Sequence, residues 1–312
     1  MGMQMDVDCA LGCPKRKAAY VPDQATSQNA VRTMSPLIAY LIVLPILMLI
    51  FAATWAYQRF PQDKHDAGIV DVVWALSTGL GAVLLFFLLG GEAGWRPVAV
   101  AIIVLWALRL AGFMWRTRLM GHKGEDTRYQ HMRTEWGERV QLWFFIFYQV
   151  QAVAAWLLVI GFVPLMATSV ELAWPWVAGA LVVGLGSILG EHLADNQLAA
   201  FKADPANQGK VCRTGLWAYS RHPNYFFEVT HWFSYAILGF GLVAAGQLWG
   251  LLPLIPFALI AFLLTRVTGI PNNEAQNLRS KGDAYRQYRE EVSAFFPWFP
   301  KQVAAESQAT EG

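Results

Sequence analysis

Residues 36–57, PLIAYLIVLPILMLIFAATWAY, decide the fold. The run carries no charged side chain, and about 20 apolar residues let a helix cross about 30 Å of hydrocarbon. The rest of the chain agrees with a bilayer as its solvent. Hydrophobic residues make up 55% and charged residues 15%, where soluble domains carry about a quarter charged. The 14 Trp and 19 Phe suit bilayer interfaces and apolar pockets. The 24 Lys and Arg against 22 Asp and Glu leave a net charge of +2, too little for a basic face that grips nucleic acid. Cys9, Cys13 and Cys212 form neither a disulfide framework nor a zinc spacing, so no metal is expected.

Working outward, further apolar runs lie at Ile69 to Gly90, Val98 to Trp115, Leu142 to Met166, Trp174 to about Gly190, Phe226 to about Leu242 and Leu248 to Leu264. The pattern predicts an all-α, polytopic membrane protein with seven spans in one domain, residues 34–302. The weakly polar turn around Ala245, Gly246 and Gln247 leaves six or eight spans as alternatives. Basic residues fall in alternate loops: Arg59 and Lys64; Arg116, Arg118, Lys123, Arg128, Arg133 and Arg139; Lys202, Lys210, Arg213 and Arg221; and a tail with Arg266, Arg279, Lys281, Arg286, Arg289 and Lys301. The intervening loops hold Arg96. This asymmetry puts the N-terminus outside and the C-terminus in the cytoplasm. Lys15, Arg16, Lys17 and Arg32 disagree, and residues 1–33 read as a disordered leader or an overextended start before Met34. Residues 303–312 read as a disordered tail.

Ionisable groups inside spans are expensive and each is a site candidate. Asp71, Arg109, Glu191, Asp195 and Glu228 qualify. Asp71 can favour the positive end of a helix dipole, and Arg109 can pair with a carboxylate such as Asp71. Glu191 and Asp195, spaced i and i+4, share one helix face and require a cation or ligand to neutralise them. Gly184, Gly186 and Gly190 lie inside an apolar helical run, so they predict close helix packing through Gly186 and Gly190 and not a dinucleotide fingerprint.

The densest polar stretch is residues 202–228, KADPANQGKVCRTGLWAYSRHPNYFFE. Lys202, Lys210, Arg213 and Arg221 offer charge to phosphates, and Tyr219, His222, Asn224 and Tyr225 offer stacking surfaces and directed hydrogen bonds. The mixture predicts a phosphate-rich cofactor.

This stretch, from Gly209 through Tyr225 with Glu228 and Trp232, resembles the steroid 5-alpha-reductase family, especially its bacterial members. Glu125-Asp126-Thr127-Arg128-Tyr129, Phe147 to Ala152 and Ala294-Phe295-Phe296-Pro297-Trp298 are similar to that group too. The resemblance implies a multi-pass protein of the bacterial inner membrane, a monomer, that holds NADPH and passes hydride to a C=C bond conjugated with a ketone in a lipid-like or steroid-like substrate. It assigns Arg116, Asp126, Arg128, Asp195, Lys202, Lys210, Tyr219, Arg221, His222, Asn224 and Tyr225 to the cofactor, Trp74 and Trp106 to the substrate, and Asp71, Glu228 and Tyr219 to catalysis. Pro271-Asn272-Asn273-Glu274 departs from the more apolar segment expected there. Trp106 stands where the steroid enzymes place a tyrosine, which argues against a steroid substrate. Negative charge developing on the carbonyl oxygen needs a donor. Asp71, kept neutral by burial beside Trp74 and Trp106, is the candidate, with Tyr219, Tyr225 and Glu228 behind it. An S-adenosylmethionine-dependent membrane methyltransferase and a non-catalytic lipid- or sterol-binding protein are the competing readings.

Overall fold

The computed structural model describes residues 34–60, 66–120 and 124–301. The expectations for residues 1–33 and 303–312 lie outside the described residues. Eleven helices follow one another without a strand among the described residues: α1 Pro36–Arg59, α2 Ile69–Leu88, α3 Arg96–Met114, α4 Thr127–Trp136, α5 Val140–Val159, α6 Phe162–Ala167, α7 Trp174–Ala203, α8 Pro223–Ala244, α9 Leu254–Phe262, α10 Ile270–Lys281 and α11 Asp283–Glu291. Pro stands in the first turn of α1, α3, α7, α8 and α10, where the missing N–H has no partner to lose.

Among the described residues, seven helical stretches are long and apolar enough to cross a membrane: Pro36–Arg59, Ile69–Leu88, Arg96–Met120, Thr127–Val159, Trp174–Ala203, Pro223–Ala244 and Leu248–Lys281. The count agrees with the sequence, while several boundaries move. The run expected to continue to Met166 stops at Val159, because Pro164 has no N–H for the Ile160 carbonyl. α7 runs on to Ala203; its 30 residues make about 45 Å, longer than the hydrocarbon layer. α3 and α9 each end in a widened turn, at residues 115–120 and 263–267.

α1, α2 and α5 pack together, α3 lies between α2 and α7, and α7 and α8 form the most extensive pair. A Cβ at Gly190 would collide with the Phe227 ring, and one at Gly184 would stand 2.8 Å from Ile102. Gly186, expected at the contact beside Gly190, faces open space instead. Arg96 is buried and donates to the carbonyls of Phe86 and Leu89 at 2.9 and 2.8 Å. The basic residue of the sparsely charged loops is thus a cap on the C-terminal end of α2.

Candidate functional site

Two polar clusters stand at the ends of the helices that carry the basic loops. The first surrounds Asp71 in the opening turn of α2. Its Oδ2 accepts from Arg118 at 2.5 Å and Arg128 at 2.9 Å, and its Oδ1 accepts from the Tyr129 hydroxyl at 2.8 Å. Asp126 caps α4, accepting from the Arg128 backbone N–H at 2.9 Å. Burial pushes the Asp126 carboxyl up, but the hydrogen bonds from Arg128 outweigh it and hold the group below its ordinary range. Glu125 takes two bonds from Arg133, at 2.6 and 3.0 Å, and one from the Ala67 N–H at 2.9 Å. These bonds tie the segment after α3 to the start of α2.

The second cluster is buried between α3, α7 and α8. Arg109 ion-pairs with Glu191, and its guanidinium donates to Asp195 at 2.6 Å. The cation required by the i, i+4 acidic pair is therefore Arg109, not a loop residue. Asn224 donates to Asp195 at 3.2 Å. One turn along α8, Glu228 accepts from the indole N–H groups of Trp106 at 2.7 Å and Trp232 at 2.9 Å. Trp106 lies edge-on to Trp74 at 6.2 Å and stacks on His231 at 5.3 Å, with an interplanar angle of 12°. His231 in turn meets the Tyr235 hydroxyl at 3.0 Å. The Asn224 Oδ1, Arg109 Nε and His231 Nδ1 are buried and have no hydrogen-bond partner. Buried polar atoms are normally satisfied, so three orphans mark this cluster as incompletely paired within the protein.

The loop above this cluster is pinned to α7. Leu216 N–H donates to Gln197 at 2.9 Å and the Trp217 indole donates to the Ala194 carbonyl at 2.9 Å. Gly215 has φ 60°, and a side chain there would strike Gln197 at 2.5 Å, which explains glycine in Thr-Gly-Leu-Trp.

The structure redistributes the residues read from the sequence. Asp195, Asn224, Glu228 and Trp106 come together, with Trp74 beside them. Arg116, Lys202 and Lys210 are exposed and have no carboxylate partner among the described residues. Lys202 lines a cavity of about 50 Å³ with Lys281, Asn277 and Tyr285, and burial pushes the Tyr285 phenol up to about 12. Arg128 and Asp126 are occupied by the Asp71 cluster. Arg221 takes a different part from the one expected. Arg221 is 9% exposed and donates to Glu274 at 2.7 Å and to the carbonyls of Arg289 and Val292 at 2.9 and 2.5 Å. It is a strut joining α8 to α10 and α11, and its donors are used up. His222 lies 3.5 Å from Glu274 and stacks on Tyr225. Burial pulls the His222 imidazole below its ordinary range, against the neighbouring Glu274 carboxylate that raises it. Tyr219 is half exposed and packs edge-on to Phe299.

Asp71, read from the sequence as a neutral donor, stands here as an acceptor: two guanidinium groups and a phenol fill three of the about four lone-pair directions of its carboxylate. Two residues of the clusters escaped notice as partners. Glu274 looked like a departure from an apolar segment, and its burial against Arg221 is why it is there. His231 carried no local signal beyond being a histidine inside a span.

A family model described as a protein of unknown function (DUF1295) matches residues 54–292. The chain belongs to the DUF1295 family. This is a family of membrane proteins related to steroid 5-alpha-reductases. The matched stretch of this DUF1295 chain holds both polar clusters and the loop between α7 and α8. No curated protein sequence matches the chain.

Proposed function

We propose that this protein is an NADPH-dependent membrane reductase that saturates a C=C bond conjugated to a ketone in a lipid-like or steroid-like molecule. The observation that carries the reading is the buried, incompletely satisfied cluster of Arg109, Glu191, Asp195, Asn224 and Glu228, enclosed by tryptophans at the end of the bundle that bears the basic loops. The residues present fit the cofactor in two respects. Arg116, Lys202 and Lys210 are available cations for phosphate groups, and the Asn224 Oδ1 is a buried acceptor suited to a carboxamide N–H such as nicotinamide carries. Arg221 is engaged by Glu274 and two backbone carbonyls, while the buried His222 Nε2 has no hydrogen-bond partner and stays in that set.

When bound, NADPH supplies the hydride. The chain's own residues manage the opposite charge. As the β carbon of the substrate gains hydride, negative charge collects on the carbonyl oxygen, and a preorganised donor stabilises it. Glu191, Asp195 and Glu228 place three buried carboxyl groups in a cluster whose cation is Arg109, so a proton held on one of them is the proposed donor. That proton passes to the carbonyl oxygen, the resulting enol reverts to the ketone by protonation at the α carbon, and water restores the carboxyl group. Trp106 and Trp232 orient Glu228 through its two oxygens, and the apolar walls exclude water from the reacting carbon. Trp106 in place of a phenol favours an enone other than a steroid.

Purified protein in lipid nanodiscs tests the reading. NADPH should raise the unfolding temperature, as a ligand bound by the native state at 100 times its Kd adds about 2.7 kcal/mol, and a cyclic enone should then accelerate NADPH oxidation. Stabilisation by S-adenosylmethionine and not by NADPH would transfer the protein to the methyltransferases. Stabilisation by a sterol or lipid alone, with no turnover, would make it a binding protein.

A further inference from the structure

The segment after α11 belongs to no helix and carries Phe295, Phe296, Trp298 and Phe299. Phe296, Trp298 and Phe299 are 68%, 72% and 75% exposed. The segment is nonetheless fixed by backbone bonds. Arg221 N–H donates to the Ser293 carbonyl at 2.9 Å, Trp298 N–H to the Tyr219 carbonyl at 2.9 Å, and Lys301 N–H to the Glu291 carbonyl at 2.8 Å. Its aromatic rings are thus held outward by the fold, an arrangement that costs free energy in water and calls for a cover.

We propose that residues 295–299 are an interfacial anchor that seats on the anionic headgroup layer of the bilayer and pins the cap formed by α10, α11 and the loop before α8 to the membrane surface. Three observations select lipid as the occupant. The strap is continuous with a membrane-spanning face: Phe295 and Phe296 pack edge-on to Phe226 in the first turn of α8, at 5.8 and 5.9 Å, and Phe233 continues that exposed aromatic face along the helix. Tryptophan and phenylalanine at the point where a helix enters the bilayer sit at the boundary of headgroups and acyl chains. Between strap and α11 lies a groove of about 460 Å³, with Val292, Phe296 and Trp298 as an apolar floor and Lys301 as its cation; Arg289 also lines it but is paired with Glu274 at 3.2 Å. This pairs positive charge with apolar surface as a headgroup phosphate and the first acyl carbons do. Of the two carboxylates lining the groove, Glu290 and Glu291, Glu291 is already paired with Arg213 at 2.5 Å.

The test uses the intact chain in nanodiscs and reads the strap alone. Trypsin releases residues 290–301, a peptide in which Trp298 is the sole tryptophan, so hydroxyl-radical oxidation measured by mass spectrometry reports this position. In discs holding one copy of the protein and phosphatidylglycerol, Trp298 should oxidise about fivefold more slowly than in the free peptide of the same sequence. In discs of neutral phosphatidylcholine protection should weaken, and Lys301→Glu should remove the difference between the two lipids. Oxidation in one-copy discs at the rate of the free peptide overturns the proposal. Protection that arises only in discs with two copies assigns the strap to a contact between chains, and equal rates in the two lipids overturn the headgroup component.

Discussion

The clusters around Asp71 and around Glu228 are built from the same materials, carboxylates and arginines with an aromatic neighbour, and they end in opposite conditions. Asp71 has both oxygens filled by Arg118, Arg128 and Tyr129, and Arg128 is half exposed to solvent. Around Glu228 and Arg109 the groups are buried, three carboxyl groups gather about one guanidinium, and polar atoms of Asn224, Arg109 and His231 have no hydrogen-bond partner. A saturated ion cluster at a helix end holds segments together. An unsaturated one in a low-dielectric interior retains free energy that a bound molecule can recover. The degree of saturation thus separates a latch from the proposed reaction site without reference to residue type.

The largest effect expected is at Arg109, whose side chain is about as buried as those of Glu191 and Asp195. Arg109→Leu strands two carboxylates and should cost about 3–5 kcal/mol of stability. The triple change with Glu191→Gln and Asp195→Asn should recover most of that, as read by thermal unfolding. An Arg109→Leu protein as stable as the parent would erase the contrast between the clusters.

Next comes the chemistry. Glu228→Leu should lower enone turnover by about 100- to 1,000-fold while NADPH still stabilises the protein, the scale on which one preorganised donor acts. Glu228→Gln should fall between. Unchanged turnover in a folded Glu228→Leu variant would move the proton donor elsewhere in the cluster.

Asp71→Asn sharpens the latch side. It should cost about 1–2 kcal/mol, the value of a charged hydrogen bond, with the Arg128 contribution discounted for its exposure. Turnover should stay within about threefold of the parent at a temperature where both are folded. A loss as large as that of Glu228→Leu would return Asp71 to the reaction.

The smallest effect is a pH slope. The His222 pKa lies below its ordinary value of 6.5 in the folded chain because burial disfavours the cation, so the unfolded chain takes up more protons between the two values. Stability from this residue is complete above about pH 6.5 and declines as pH falls toward the folded pKa. His222→Asn should flatten the fall in unfolding temperature between about pH 7.5 and 5.5. A parental slope in the variant assigns the effect to other groups.

The membrane class and the number of crossings were legible in the sequence, because an uncharged run long enough to span hydrocarbon is a one-dimensional property that no packing can disguise. The pairing need of Glu191 and Asp195 was legible too, since helical spacing alone puts them on one face. Which cation meets them was not: Arg109 is 82 residues from Glu191 along the chain, as 191 less 109 gives, and only the packing of α3 against α7 brings them into contact. The same holds for Arg221. Its place in a basic loop suggested phosphate, whereas its orientation toward Glu274 was fixed by how α10 folds back on α8. Composition and spacing determine which groups must leave water. Tertiary structure decides which partner receives each of them, because hydrogen bonds and ion pairs act over a few ångströms and the residues that meet at that range come from helices distant in sequence.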